Sequence, residues 1–307
     1  MPIKLVVAVT DRGWFDHLRR RPDLAEVNFW APSDVSFKAL QPGELFLFKL
    51  RAPVDRIVGG GVFAYATTLP CSLAWEAFGE ANGAASLSAM RERIAGLRSD
   101  RAGSREDFAI GCRILTQPFF LPEDVWPPVP ASWARNIVSF KTYTTDDRDG
   151  RQLWEAVQDA LRGATPETAR DAAGGRYGEP VLVRPRLGQG AFRVLVTDIY
   201  QRRCAVTGER TLPALDAAHI RPYGEGGEHA APNGLLLRRD IHSLFDAGYV
   251  TVTPGLRFEV SRRIREEFEN GRHYYALHGT AVARPERADL APDPGALAWH
   301  NAHRFRG

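Results

Sequence analysis

The sequence predicts an α+β fold in two domains, and three observations lead there. The first half holds short apolar runs of strand length separated by turn residues. Six of the seven tryptophans precede residue 155, whereas seven of the eight histidines lie at or after His219. Between these zones runs GATPETARDAAGGRYGEP, small and polar, with Gly174-Gly175 and Pro180, which has the composition of a linker. The expected boundaries are therefore a first domain over 1–163, a linker over 164–180 and a second domain over 181–307. With 307 residues, each domain can bury a core of its own.

Along the first half, IKLVVAVT and LFLFKL are apolar runs of strand length, the second fed by the turn LQPGE at Pro42-Gly43. RIVGGGVFAYA and FAIGCRILT add two more strands. GWFDHLRRR and LAWEAFGEANGAASLSAMRERIAGLRS read as helices, and LWEAVQDALRG as a helix that closes the domain. The expectation is a small curved sheet or barrel with inserted helices. In the second half, GQGAFRVLVTDIYQRRC has the period of an amphipathic helix. The stretch from Cys204 to Gly248 reads as strand, turn, strand, irregular Gly-rich loop, then a helix beginning near Asn233. YVTVT and LRFEVS form a hairpin around Pro254-Gly255, and LAWHNAHRF ends the chain.

Composition narrows the function. Cys71, Cys112 and Cys204 lie far apart and form no CxxC pair, so neither a disulfide framework nor a structural zinc is expected. They read as small buried apolar residues. No apolar run approaches the roughly 20 residues of a membrane span, so no membrane partner is expected. MPIKLVVAVTDRGWF lacks the marks of a secretory signal, and the expected location is cytoplasmic. A net charge of +3 is too small to argue nucleic-acid binding alone. Lysine occurs only at Lys4, Lys38, Lys49 and Lys141, so the later fixed cations are arginines. Arginine suits bidentate phosphate contacts, although a GC-rich genome would give the same bias.

The chemistry concentrates at His219 in LDAAHIRPY, Asn233 in PNGLLL and His242 in RRDIHSLFD. Phosphodiester hydrolysis needs a water deprotonated near neutral pH, a task for histidine. It also needs a cation to neutralise the phosphate and stabilise the departing 3′ oxygen. A strand-end histidine, a loop asparagine and a helix-borne histidine converge when strand and helix pack together. With CAVTG, AAHI, PNGLLL and HSLFD around the triple, this segment resembles the HNH endonuclease family, in the branch without a zinc knuckle found in bacterial restriction enzymes. The likeness runs from Arg186 to about Tyr249 and includes GQGAFR.

That resemblance implies a ββα-metal nuclease domain using Mg²⁺ or Mn²⁺. His219 would be the general base, Asn233 would orient the loop or the base, and His242 would ligate the metal. The sequence departs from the family at Ala218, where many members carry a second ligand. Asp216, on the same strand face as Ala218, is the preferred replacement. Asp246, four residues past His242 on its helix face, is the alternative and could equally cap the helix. Arg186, Arg193, Arg221, Arg238 and Arg239 are candidate phosphate contacts. His229 is expected to be solvated in its loop, and His300 and His303 to pack with Trp299 and Phe305.

In the first half, TDRGWF, VNFWAPSD, LQPGELFLFKL and IVGGGVF resemble, in order and pattern over Ile3 to Tyr143, the PUA superfamily, particularly EVE-like modified-base readers. This implies a β-barrel that holds a flipped nucleobase among aromatic residues. Trp14 and Trp30, beside turn residues, are the pocket candidates, with core anchors as the other reading of the same residues. Asp34 would accept from a cytosine amino group. The whole then resembles a modification-dependent restriction endonuclease that cuts double-stranded DNA carrying 5-methyl- or 5-hydroxymethylcytosine. A homodimer is expected because two strands must be cut. The alternatives are the same nuclease with a reader for unmodified DNA or RNA, and a non-catalytic nucleic-acid-binding protein with a degraded metal site.

Overall fold

The computed structural model describes residues 2–21, 23–98, 107–164 and 187–307. The chain divides into two compact units, Met1–Pro185 and Arg186–Gly307. The expected linker 164–180 lies outside the described residues except for Ala164, the last residue of a helix.

The first unit is built on one six-stranded sheet. Its strands are β1 (Lys4–Thr10), β2 (Glu26–Ala31), β3 (Leu45–Leu50), β4 (Ile57–Pro70), β5 (Ala109–Phe120) and β6 (Phe140–Thr144), in the order β2-β5-β4-β3-β1-β6. β1 runs parallel to β3, and the other pairs are antiparallel. After β1, Asp11 caps α1 (Arg12–Leu18) by accepting from the Trp14 N–H at 2.8 Å, and the helix buries Trp14, Phe15 and Leu18. The triple glycine of β4 lets its neighbours close in. A Cβ at Gly59 would stand 2.3 Å from the Phe119 carbonyl oxygen, and one at Gly60 would stand 2.7 Å from that of Phe46. The helices α2 (Cys71–Phe78) and α3 (Leu87–Ala95) follow β4.

After β6, α4 (Arg148–Ala164) lays Leu153 and Val157 on Leu5, Val7, Leu47 and Ile57. Trp14 meets Phe29 and Phe48 edge-on at 5.2 and 5.0 Å, and Phe29 lies 4.8 Å from Phe46. Each such side chain contributes about 1.5–3 kcal/mol by burial. The expected barrel is not formed as a closed one among the described residues. β2 pairs only with β5, and β6 pairs only with β1, so the sheet keeps two edges. Its core is completed by α4 and the aromatic cluster instead of by strand closure.

The second unit begins with α5 (Gln189–Ile199). Then come β7 (Leu215–His219), β8 (Gly234–Arg238) and α6 (Arg239–Asp246), a ββα unit. β9 (Val250–Val252) and β10 (Phe258–Val260) form the hairpin around Pro254-Gly255. Two short helices, α7 (Arg263–Phe268) and α8 (Arg272–Tyr275), and the Asp293-capped α9 (Pro294–His303) complete it. The expected helix start near Asn233 is displaced. Leu235, Leu236 and Leu237 are all buried and pair with β7 as a strand, and the helix starts at Arg239. A short apolar run buried on both sides has no period that separates strand from helix. Phe192 and Val196 of α5, Ala217 and Ala218 of β7, and Ile241 and Phe245 of α6 share one core with this strand.

Candidate active site in the second unit

β7 and β8 run antiparallel, with His219 opposite Gly234 and Asp216 opposite Leu237, and β8 leads straight into α6. This brings His219, Asp216 and His242 to the wall of one cleft of about 490 Å³, together with Asp246, Arg193 and Arg304. Ala218 is buried and absent from that wall. Asp216 therefore reaches the cleft without sharing the surroundings of Ala218, so strand alternation alone does not describe its placement.

The His219 ring is stacked on Phe192 of α5, with centroids 3.9 Å apart and planes 13° from parallel. Its Nε2 lies 2.9 Å from Nδ1 of His229, whose own ring stacks on Tyr223 at 4.6 Å. His229 is thus a partner of His219 rather than the solvated loop residue expected. Burial, followed by the charges of His229 and His242, pushes the His219 pKa from 6.5 down to about 4, against the pull of Asp216. Near neutral pH the imidazole is neutral and has a lone pair to offer.

Asn233 fixes the loop between the strands. Its Oδ1 accepts from the Arg221 N–H at 2.9 Å, and its Nδ2 donates to the carbonyl oxygens of Arg221 and Glu228, each at 2.9 Å. Gly227 allows this closure, since a Cβ there would lie 1.9 Å from the Arg221 carbonyl oxygen.

On α6, His242 stands between two carboxylates. Nδ1 is 3.3 Å from Asp216 Oδ2, and Nε2 is 3.3 Å from Asp246 Oδ2. Burial lowers the His242 pKa, but the Asp216 hydrogen bond and the charges of Asp246 and Asp216 outweigh it, and the net shift is upward. For Asp216, burial pushes the pKa up, yet the His242 hydrogen bond and the charge of Arg193 bring it below the ordinary value. Asp246 goes the other way, raised chiefly by burial against the pull of His242 and Arg304.

The donor chemistry suits a hard divalent cation, with carboxylate oxygen beside one imidazole. Two neighbouring ligands of an octahedral cation stand about 3 Å apart, close to the Asp216–His242 separation. Among the described residues no three His, Cys, Asp or Glu side chains form a ready-made metal cage. The remaining positions would fall to water and phosphate oxygens, as in open Mg²⁺ sites.

Of the candidate phosphate contacts, Arg193 lines the cleft, with Nε 3.5 Å from Asp216 Oδ1. Arg221 is committed elsewhere. It donates to the Glu225 carbonyl oxygen at 2.6 Å and lies 5.1 Å over the Trp299 ring. Arg238 makes two bonds to Asp240, at 2.9 and 2.6 Å, away from the cleft wall. Arg186 lies outside the described residues. Arg304, which the sequence did not single out, lines the cleft and pairs with Glu225. His300, expected to pack, is buried and bonds through both ring nitrogens to Thr251 and the Phe245 carbonyl oxygen.

The residues proposed for base capture in the first unit do not line an open pocket together. Trp14 is 1% exposed inside the aromatic cluster. Trp30 is 8% exposed and donates from Nε1 to the Asn82 carbonyl oxygen at 2.9 Å. Both serve as core anchors because long-range strand pairing covers them. Asp34 alone is exposed, on the loop after β2.

Residues 204–253 match the HNH endonuclease family model. That segment contains the β7-β8-α6 unit and the cleft residues Asp216, His219, His242 and Asp246, while Phe192, Arg193, His300 and Arg304 of the cleft lie outside it. No curated protein matches the chain. Among solved structures, a point mutant of ZmASCH from Zymomonas mobilis aligns with a TM-score of 0.35 and 7% identity, over 50% of this chain and 97% of that one. The modification-dependent TagI restriction endonuclease aligns with a TM-score of 0.30 and 15% identity, over 86% of this chain. The present chain spans 62% of the TagI chain.

Proposed function

We propose that this protein is a metal-dependent DNA endonuclease in which 181–307 cuts the phosphodiester and 1–163, a PUA-like domain, selects DNA bearing modified cytosine. The observation that carries the nuclease reading is the convergence of neutral His219 with the Asp216–His242 pair in one cleft, within a segment matched by the HNH endonuclease model. His219 takes a proton from the attacking water. In the tautomer in which its Nε2–H donates to His229 Nδ1, its own Nδ1 is the accepting nitrogen. Phe192 holds the ring in plane, and Asn233 keeps the loop from sliding across the cleft.

Asp216 and His242 would hold a divalent cation, Mg²⁺ or Mn²⁺, and Asp246 would orient His242 from its other nitrogen. When bound, that cation neutralises the scissile phosphate and stabilises the departing 3′ oxygen. Arg193 and Arg304 supply the positive wall for the remaining phosphate oxygens.

The reader assignment rests on the order of sequence patterns in the first unit, including flipping of 5-methyl- or 5-hydroxymethylcytosine out of the duplex. A homodimer would bring a second cleft to the opposite strand. Single-turnover cleavage of a duplex tests the nuclease reading. His219→Ala is expected to lower the rate by about 10²–10⁴-fold with DNA affinity retained. Chelation of the metal should stop cleavage. A His219→Ala protein that keeps more than about a tenth of the rate would end the general-base assignment.

A further inference from the structure

We infer that the corner of the first unit formed by Arg113, Phe37 and Phe140 is a phosphate-binding site through which this unit holds duplex DNA. The inference rests on the DNA-directed reading above. Arg113 lies in the middle of β5, opposite Phe29 on β2 and Ala66 on β4. It is 8% exposed, and its Nε is sealed from solvent with no hydrogen-bond partner. No carboxylate among the described residues pairs with it, and burial draws its pKa down to about 10. The other buried cation of this sheet, Lys49, is treated differently. It pairs with Asp55 and donates to the Leu50 carbonyl oxygen at 3.1 Å.

A buried guanidinium with no counter-charge is costly for a fold to keep, and a ligand that brings negative charge would repay it. The surroundings favour a nucleic-acid phosphate. The Arg113 guanidinium lies 5.0 Å from the Phe37 ring, and Phe37 meets Phe140 at 5.3 Å. Outside them the rim is apolar and open, with Phe140 36%, Val35 67% and Val138 81% exposed. Lys38 and Lys141 follow the two aromatic residues, and the segments 35–41 and 131–145 contain no acidic residue. Asp34 at the loop entrance is the nearest acid in sequence. A planar fork for phosphate beside exposed aromatic and aliphatic faces for sugar and base is the composition of a nucleic-acid contact.

The test is DNA binding by the full chain in chelator, followed by anisotropy across a salt series, with melting temperature measured beside it. Arg113→Met removes the charge at similar volume. The melting temperature is expected to hold or rise, while affinity falls about tenfold or more. The slope of log affinity against log salt should shrink by about 0.9. Val138→Asp, at an exposed position, should weaken binding without changing stability. Unchanged affinity and slope in a stable Arg113→Met protein would overturn the inference. If that variant melts lower, Val138→Asp decides, and intact binding there overturns it too. Displacement by polyglutamate but not by DNA would give the site to an acidic protein and refute the DNA assignment. Loss of selectivity for modified DNA is a separate outcome: equal cutting of plain and modified duplex would sink the reader but leave this binding measurement standing.

Discussion

The two units bury polar side chains to different ends. In the first, Asn28 and Asn82 are buried and joined at 2.9 Å, and Asn82 also donates to the carbonyl oxygens of Ala74 and Gly79 at 3.1 and 2.8 Å. Trp30 then bonds to the Asn82 backbone. That network ties β2 to the turn after α2 and leaves the Asn28 side-chain carbonyl oxygen without a partner. In the second unit the buried polar residues Asn233, Thr251, Ser261 and His300 are likewise bonded, whereas the half-buried His219 faces a cleft. His219 and His300 make the contrast sharp. Each is stacked on a phenylalanine, at 3.9 and 3.7 Å, and each is pushed by burial to a pKa of about 4. His300 spends both nitrogens on the fold, whereas His219 spends one on His229. Burial and a lowered pKa are common to both rings, and what separates them is the ring nitrogen that His219 leaves unbonded.

The largest effect expected from this contrast, after the loss of the base itself, is on metal. Asp216→Asn should raise the metal concentration for half-maximal cleavage about tenfold or more with folding intact. Asp246→Asn should raise it less, because Asp246 acts through His242. The reverse order of the two variants would move the ligand onto α6.

Asn82→Ala should do the opposite, costing stability and sparing catalysis. It strands three hydrogen-bonding groups, each worth about 1 kcal/mol, so unfolding should become easier by about 2–4 kcal/mol. Denaturant titration of the first unit's transition reads this, and an unchanged midpoint would show the network to be idle.

A smaller effect concerns pH. His219 and His300 both have folded pKa values depressed from 6.5 to about 4. Below 6.5 the unfolded chain therefore binds more protons than the folded one. Their contribution to stability is present above pH 6.5 and is lost as pH falls towards and through about 4. Melting of the second unit should shift down by several degrees across that window. A flat profile would mean that the two rings are not held neutral.

How much of this was legible in the sequence follows the same division. Asp216, His219, Asn233, His242 and Asp246 lie within one short stretch, so local strand and helix geometry brings them together and spacing gives their convergence away. What spacing could not give was His229, because loop closure by Asn233 and Gly227 decides where that ring lands. The Leu235–Leu237 run was equally opaque, since burial on both sides erases any period. In the first unit Trp30 pairs across to Cys112, far along the chain, and its exposure depends on contacts that no local pattern records. For the same reason Arg113 carried no signal as one residue of a strand-like run.

The central claim is that one unit cuts and the other selects. One duplex, prepared with cytosine, 5-methylcytosine or 5-hydroxymethylcytosine and incubated with Mg²⁺ or Mn²⁺, tests it directly. The account predicts that a modified duplex is cut and the plain one is cut more slowly, by about 10–200-fold if a single methyl group fitted in a pocket makes the difference. Equal cleavage of all three duplexes would contradict selection by the first unit, and no cleavage of any with either metal would contradict the nuclease itself.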